Sequence, residues 1–169
     1  MNTSRFAVGL GLAFALSASL AGCSTTGLFA GDPDAAIPAV GDWSATDPIP
    51  APSADLVWDR LRLVLAGEGY RVDERKTHFD ERKLVTEWST YLAPNRFEGV
   101  RRRVHAEIVP GAGSTWVVRT AVLKQRNADI DNPSNPAMAK WESVSAEPNR
   151  SALLVWKVNS AFAPGATEE

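Results

Sequence analysis

The stretch Pro-Gly-Ala-Gly at residues 110–113 constrains the possible folds more than any other feature of the sequence. It lies between residues 100–109, in which apolar and polar side chains alternate, and residues 115–124, a second candidate strand. Such alternation is typical of strands with one buried face, and a proline- and glycine-rich stretch between two of them predicts a hairpin. Residues 83–93 alternate in the same way, and residues 70–77 begin apolar. We therefore predict an antiparallel meander of four strands with one apolar and one polar face.

Two further segments predict helices. Ser53 can accept a hydrogen bond as an N-cap, and Gly67 and Gly69 favour termination of a helix that begins there. The apolar residues at helical spacing in this segment are Val57, Trp58, Leu61, Val64 and Leu65. A second helix is predicted to begin near Glu147 and Pro148, because proline is favoured in the first helical turn. Its apolar face is expected to contain Leu153, Trp156 and Phe162, with Leu154 and Val158 alongside. The predicted fold class is α+β, with the four-stranded sheet packed against an N-terminal and a C-terminal helix.

Residues 20–23, Leu-Ala-Gly-Cys, end in the only cysteine of the 169-residue chain. The 14 residues before Ala21 carry no charge, which suits a signal-peptide core and falls short of the roughly 20 apolar residues of a spanning helix. The tetrapeptide resembles the lipobox of bacterial lipoproteins, in which diacylglycerol alkylates the cysteine and the chain is cut just before it. We therefore predict a signal peptide at residues 1–22 and lipidation of Cys23. An ordinary secretory signal that contains a cysteine is the alternative.

Composition divides the rest of the chain. Residues 24–52 hold five prolines and three glycines without an apolar period, so residues 23–52 are predicted to be the lipidated cysteine and a disordered, proline-rich tether. A single α+β domain is predicted at residues 53–163 and a disordered tail at residues 164–169. Without Arg5 of the leader, 17 basic and 20 acidic side chains remain, a net charge of −3. This balance gives no reason to expect a nucleic-acid partner.

The sequence shows no pattern that indicates catalysis or a cofactor. His78 and His105 are its two histidines, and neither has a second ligand at the spacing of a zinc site. Asn127, Asp129 and Asp131 alternate like the first ligands of a calcium loop. However, the glycine and the final glutamate of such a loop are missing, so Asx-type turns are the simpler interpretation. We therefore expect neither an enzyme nor a bound metal.

A basic run at residues 101–103 suggests a small cationic patch. On a strand, Arg101, Arg103 and His105 share the solvent face. If Val109 lies opposite the residue that opens the next strand, Arg119 lies opposite His105 and joins the patch. These four residues would suit an anionic partner, because guanidinium groups bind phosphate and carboxylate. The alternative is a solvated face balanced by nearby acidic side chains.

The junction between the first helix and the strands carries a family resemblance. Residues 69–72 read Gly-Tyr-Arg-Val, residues 80–82 read Asp-Glu-Arg, and residues 84–88 read Leu-Val-Thr-Glu-Trp. This pattern resembles the helix-grip module of the BamC lipoproteins, which belong to the outer-membrane β-barrel assembly machinery. The resemblance implies a helix-grip fold, but Lys83 stands where the family usually has a glycine, and no functional residue is transferred from it.

These observations together predict a role without catalysis. Lipidation of Cys23 would anchor the chain in a membrane, and Ser24, which is not aspartate, matches outer-membrane sorting in Gram-negative bacteria. The domain would then face the periplasm and act by binding an envelope protein, in an interaction or assembly role. The alternative is a module that binds a small molecule or lipid in a cavity between helix and sheet.

Overall fold

The computed structural model describes residues 36–93, 98–129, 131–132, 135 and 137–163. A short 3-10 turn at Val40–Asp42 comes first in this part of the chain. The helices and strands that follow are, in chain order, β1 (Ser44–Ala45), β2 (Ile49–Pro50), α1 (Ala54–Gly67), β3 (Lys83–Val85), β4 (Ser89–Ala93), β5 (Glu98–Pro110), β6 (Thr115–Asn127), β7 (Trp141–Ser143) and α2 (Pro148–Ala161). The described part of the chain is therefore α+β, with two α-helices and one seven-stranded antiparallel sheet.

The sheet is built on a long hairpin formed by β5 and β6. Residues 110–113 lie at its turn, as the sequence predicts: the Gly111 N–H donates to the Thr115 carbonyl at 2.9 Å, and Gly113 has a φ of +65°. On one side of the hairpin, β3 and β4 both pair with β5. On the other side, β1, β2 and β7 all pair with β6. Each outer row of the sheet therefore consists of short strands placed end to end.

The predicted four-stranded meander is wrong. Residues 70–77, expected to form its first strand, contribute one isolated bridge in the described part of the chain, between Val72 and Thr86. Residues 83–93, expected to form one strand, form two, β3 and β4. The strands β1, β2 and β7 were not predicted, because segments of two or three residues are too short to show a period of two.

Hydroxyl side chains complete the hydrogen bonding where the outer rows are interrupted. The Thr86 hydroxyl accepts from the Val104 N–H at 2.9 Å at the break between β3 and β4. The Thr46 hydroxyl accepts from the Val118 N–H at 3.0 Å, just after β1. Buried backbone donors need such partners, since an unsatisfied N–H costs about 1–3 kcal/mol. The two threonine hydroxyls therefore satisfy N–H groups of the central hairpin at points where the outer strands are interrupted.

Helix α1 forms as its sequence predicts. The Ser53 hydroxyl accepts from the Leu56 N–H at 3.3 Å as the N-cap, and Gly69 takes a φ of +78° just beyond the helix. The expected apolar face is confirmed, because its residues are buried or partly buried in the core. They pack against alternate residues of the central strands, among them Val104, Ala106, Ile108, Val118 and Val122.

Helix α2 begins at the predicted proline, and Leu154, Val158 and Phe162 pack in the core as expected, but the rest of its buried face differs from the prediction. The buried residues are Ser151, Leu154, Val155 and Val158. Leu153 and Trp156, expected in the core, lie on the outward side and are 42% and 62% exposed. The helix is rotated in this way because Ser151 docks onto the edge of β6, where its hydroxyl accepts from the Val122 N–H at 3.0 Å.

This docking contact makes a testable contribution to stability. Replacing Ser151 with alanine is expected to lower the free energy of unfolding by about 1–3 kcal/mol, because the buried Val122 N–H loses its acceptor. Ser160→Ala is the matched control, since the Ser160 hydroxyl is exposed and donates within its own helix, to the Trp156 carbonyl. Urea denaturation of both variants measures the difference, and equal losses would contradict this role of Ser151.

Candidate functional site

The four residues predicted to form a cationic patch lie on one face of the sheet, opposite the helices. The register differs from the expected one by two residues: Val109 pairs with Val117, and His105 pairs with Ala121. Arg119 therefore lies opposite Glu107 and not opposite His105. A shift of two residues preserves the face on which every side chain lies, so Arg119 remains on the same face as Arg101, Arg103 and His105.

Tryptophan rings hold Arg101 and Arg103 in place on this face. The guanidinium carbon of Arg101 lies 4.5 Å from the ring centroid of Trp88 and 4.8 Å from that of Trp141. The guanidinium carbon of Arg103 lies 4.5 Å from the same Trp88 ring. The four side chains form an alternating stack of Trp141, Arg101, Trp88 and Arg103, which we call the Arg–Trp stack. Cation–π contacts of this kind contribute about 0.5–2 kcal/mol each, depending on exposure.

The two arginines of the stack differ in their surroundings. The Arg101 Nε donates to Gln125 at 2.7 Å, and Arg101, Trp88 and Trp141 are each half-buried. Arg103 is buried, where its Nε donates to the Thr86 carbonyl at 3.0 Å and its Nη2 lies 4.0 Å from the Asp73 carboxylate. Arg101 and its two tryptophans are thus partly exposed, whereas Arg103 is buried at the Trp88 end of the stack.

The surroundings of His105 disfavour protonation of its imidazole. Burial lowers the pKa of His105 to about 4, with a further contribution from the charges of Arg103 and Lys76. Within the described residues, its Nε2 has no hydrogen-bond partner. The imidazole is therefore neutral at neutral pH and adds no positive charge to this face.

Arg119 lies beside the stack in an environment of its own. Its Nη1 is 3.6 Å from the Glu107 carboxylate, and its guanidinium carbon is 5.3 Å from the ring centroid of Trp43. Trp43 lies just before β1, within the stretch predicted to be the tether, and here it contacts the folded domain. The charge of Arg119 is thus largely balanced by Glu107.

A second ionic cluster lies on the helix side of the sheet, and sequence analysis missed it. Arg102 points there and forms a bidentate pair with Glu147, with N–O distances of 2.5 Å and 3.1 Å. Lys124 and Arg150 approach the same carboxylate at 3.3 Å and 3.5 Å. Burial raises the pKa of Glu147, but the hydrogen bonds and charges of Arg102 and Lys124 lower it more. The cluster joins the start of α2 to β5 and β6, two strands far from it in sequence, so no local pattern could reveal it.

The loop after β6 uses its polar side chains for turns. The Asn127 side chain accepts from the Asp129 N–H at 3.0 Å and from the Lys140 N–H at 3.0 Å. Asp129 accepts from the N–H groups of Asp131 and Asn132 at 3.1 Å and 3.0 Å. These are the Asx-type turns favoured by the sequence over a calcium loop. Among the described residues, no cluster of three or more metal-ligating side chains occurs.

An open cleft of about 570 Å³ runs beside the outer side of α1. Leu63, Ala66, Tyr70 and Val72 supply its apolar lining. Charged side chains surround this lining, and one ion pair, between Arg62 and Glu74 at 3.2 Å, lies among them. The alternative role predicted from the sequence places a ligand between helix and sheet, where the described residues form the hydrophobic core.

The predicted anchor and half of the predicted tether lie outside the described residues. Cys23 belongs to that part, as do the signal peptide at residues 1–22 and the tail from residue 164 onward. The second half of the predicted tether is folded, because β1 and β2 pair with β6 and Ile49 is buried. The folded domain therefore begins before Ser53. Within the described residues, no helix has the length and apolar character needed to cross a membrane.

No family model matches this chain, and no curated protein matches it either.

Proposed function

We propose that this chain is a lipoprotein of the bacterial cell envelope that is anchored in the outer membrane through Cys23 and binds an envelope protein without catalysis. The sequence of residues 20–23 supports the anchor. A diacylglycerol with an additional acyl chain holds a protein firmly in a bilayer, since each buried CH₂ contributes about 0.8 kcal/mol. The domain that follows would then face the periplasm.

The Arg–Trp stack is the observation that supports a binding role. Tryptophan and arginine are the residue types most enriched among those that dominate the energy of protein interfaces. Trp88, Arg101 and Trp141 are half-buried and hold one another at fixed distances of 4.5–4.8 Å. Such side chains lose little conformational entropy when a partner covers them, because their rotamers are already restricted.

The chemistry of the stack indicates the kind of partner segment it would bind. Arg101 gives the stack a positive charge, which favours a carboxylate group on the partner. The flanking rings of Trp88 and Trp141 favour apolar or aromatic side chains next to that carboxylate. The partner segment would thus combine an acidic residue with apolar neighbours.

Photocrosslinking in cells tests this role with two adjacent residues of β4. Thr90 is exposed and lies opposite Arg101, whereas its neighbour Ser89 is exposed and lies opposite Arg102 on the other face. A photoreactive residue at position 90 is expected to form one discrete crosslinked product, and the same residue at position 89 is expected to form none. A Cys23→Ser variant should leave the membrane fraction and lose the product. Equal products at both positions, or none at either, would contradict binding through the Arg–Trp stack.

A further inference from the structure

The outward side of α2 is an uncharged, partly apolar surface. Leu153 and Trp156 are exposed there, although α2 is otherwise packed on the sheet. Asn149, Leu153, Trp156 and Ser160 follow one another at spacings of four, three and four residues, so they form one stripe along the helix. We call these four residues the outer stripe of α2. All four are exposed, and none is ionisable.

The charged residues of α2 lie beside the outer stripe and are engaged elsewhere. Arg150 is 3.5 Å from the Glu147 carboxylate, and Lys157 forms an ion pair with Glu68, the residue after α1. Lys157 is therefore paired with an acidic residue of the same domain, whereas Arg150 shares Glu147 with Arg102 and Lys124. As a result, the outer stripe can leave water without burying a charge, which is the costliest part of such a transfer.

The size of the stripe argues against a second copy of the chain or a stable protein partner. A helix of 14 residues is about 21 Å long and about 10 Å wide, so its outward side covers on the order of 200 Å². A standard protein interface buries about 800 Å² on each partner. The burial of one tryptophan and one leucine can, however, stabilise contact with a surface when the domain is already tethered close to that surface.

The predicted anchor would hold the domain near such a surface. Twelve residues separate Cys23 from residue 36, and a chain of that length reaches at most about 47 Å. Tethering at this range makes contact with the bilayer intramolecular, so that even a weak patch is occupied. Tryptophan favours the bilayer interface in particular, where its ring lies at the level of the lipid headgroups.

From these observations we propose that the outer stripe of α2 lies on the surface of the lipid bilayer, with Trp156 and Leu153 inserted at the headgroup level. This proposal rests on the proposed anchoring of Cys23. Because the stripe carries no charge, its contact with lipid depends on apolar burial. The contact is therefore expected on neutral as well as on anionic membranes.

The test uses the mature, lipidated protein in vesicles of phosphatidylcholine, with and without phosphatidylglycerol. Because lipidation blocks the only native thiol, Ser160→Cys supplies a single site for a fluorescent label next to Trp156. Ser89→Cys, at an exposed serine of β4, is the matched control. Mass spectrometry of the mature chain and flotation with vesicles establish the anchoring independently of the label.

We expect doxyl-labelled lipids to quench the label at position 160 several-fold more strongly than the label at position 89, in both kinds of vesicle. Adding Trp156→Gln to Ser160→Cys should remove this difference while the protein still floats with the vesicles. Equal quenching at the two positions in a floating protein would overturn the bilayer contact but leave the anchoring intact. Shielding of the label at position 160 without lipid quenching would show that a protein or a second copy covers α2, and would also overturn the proposal. An unlipidated, non-floating protein would refute the proposed anchoring and, with it, the bilayer contact.

Discussion

Replacing Leu61 with alanine is expected to lower the free energy of unfolding by about 2–5 kcal/mol, the usual cost of removing a fully buried leucine side chain. Leu61 has no exposed surface and lies in the middle of the face with which α1 packs on the sheet. Alanine would leave a cavity among close-packed neighbours such as Val57 and Leu65, which cannot collapse without moving the helix. Urea denaturation followed by circular dichroism measures the loss.

Leu63 provides a matched control two residues further along the same helix. Its side chain is 64% exposed on the outward side of α1, so Leu63→Ala is expected to change stability by less than about 0.5 kcal/mol. Both substitutions remove the same atoms and have the same effect on helix propensity. The difference between them therefore reports burial alone, and similar losses for the two variants would show that α1 does not pack through the face described here.

The protein is expected to lose stability as the pH falls from about 6.5 to about 4, through His105. In the folded state burial lowers the pKa of His105 to about 4, whereas an unfolded chain has the ordinary value near 6.5. Between these values the unfolded chain binds a proton that the folded protein does not, so stability is complete above pH 6.5 and falls with the pH. The difference in pKa corresponds to a loss on the order of 3 kcal/mol.

A His105→Gln variant isolates this effect, because glutamine is neutral at every pH. Its stability should be nearly constant between pH 6.5 and 4.5, whereas that of the native chain declines. Glu147 affects stability at lower pH, because its pKa in the folded protein lies below the ordinary carboxyl value. Its contribution to the free energy of unfolding is lost as the pH falls below that ordinary value. If the free energy of unfolding of the native chain changes as little between pH 6.5 and 4.5 as that of the variant, His105 is solvated in the folded protein.

Features that depend on neighbouring residues were predictable from the sequence. The N-cap Ser53, the start of α2 at Pro148 and the hairpin turn at residues 110–113 each follow from the chemistry of one short segment. The buried face of α1 was also predictable, since its apolar residues recur at a clear helical period. In α2, by contrast, the sequence offers two apolar pairs that could face the core, Leu153 with Trp156 and Leu154 with Val155. The hydrogen bond between Ser151 and β6 orients the helix so that the second pair is buried.

Features that depend on distant segments were not predictable. Strands β1, β2 and β7 exist because the long β6 offers free backbone groups, and their own sequences are too short to indicate pairing. The hydroxyls of Thr46 and Thr86 accept from N–H groups of the central hairpin that no local pattern identifies.

The candidate site also combines features that neighbouring residues predict with features that depend on distant segments. Alternation along β5 correctly predicts that Arg101, Arg103 and His105 share one face. Arg119 lies on that face too, because the register is shifted by an even number of residues. The stacking of Arg101 between Trp88 and Trp141 brings together three separate segments of the chain. The low pKa of His105 likewise results from tertiary burial, which a single strand does not reveal.

The short strand β1 has a mechanical consequence for a domain held by its N-terminal side. A pull on the chain before residue 36 would load the β1 edge early, where β1 pairs with β6 at Ser44 and Ala45 and Thr46 adds two hydrogen bonds to Val118. Strand β2 would be loaded next, whereas the β5–β6 hairpin, paired along residues 100–110, would be loaded last. Under tension the domain would therefore give way by peeling at this edge, lengthening the chain between anchor and hairpin before the hairpin is disturbed.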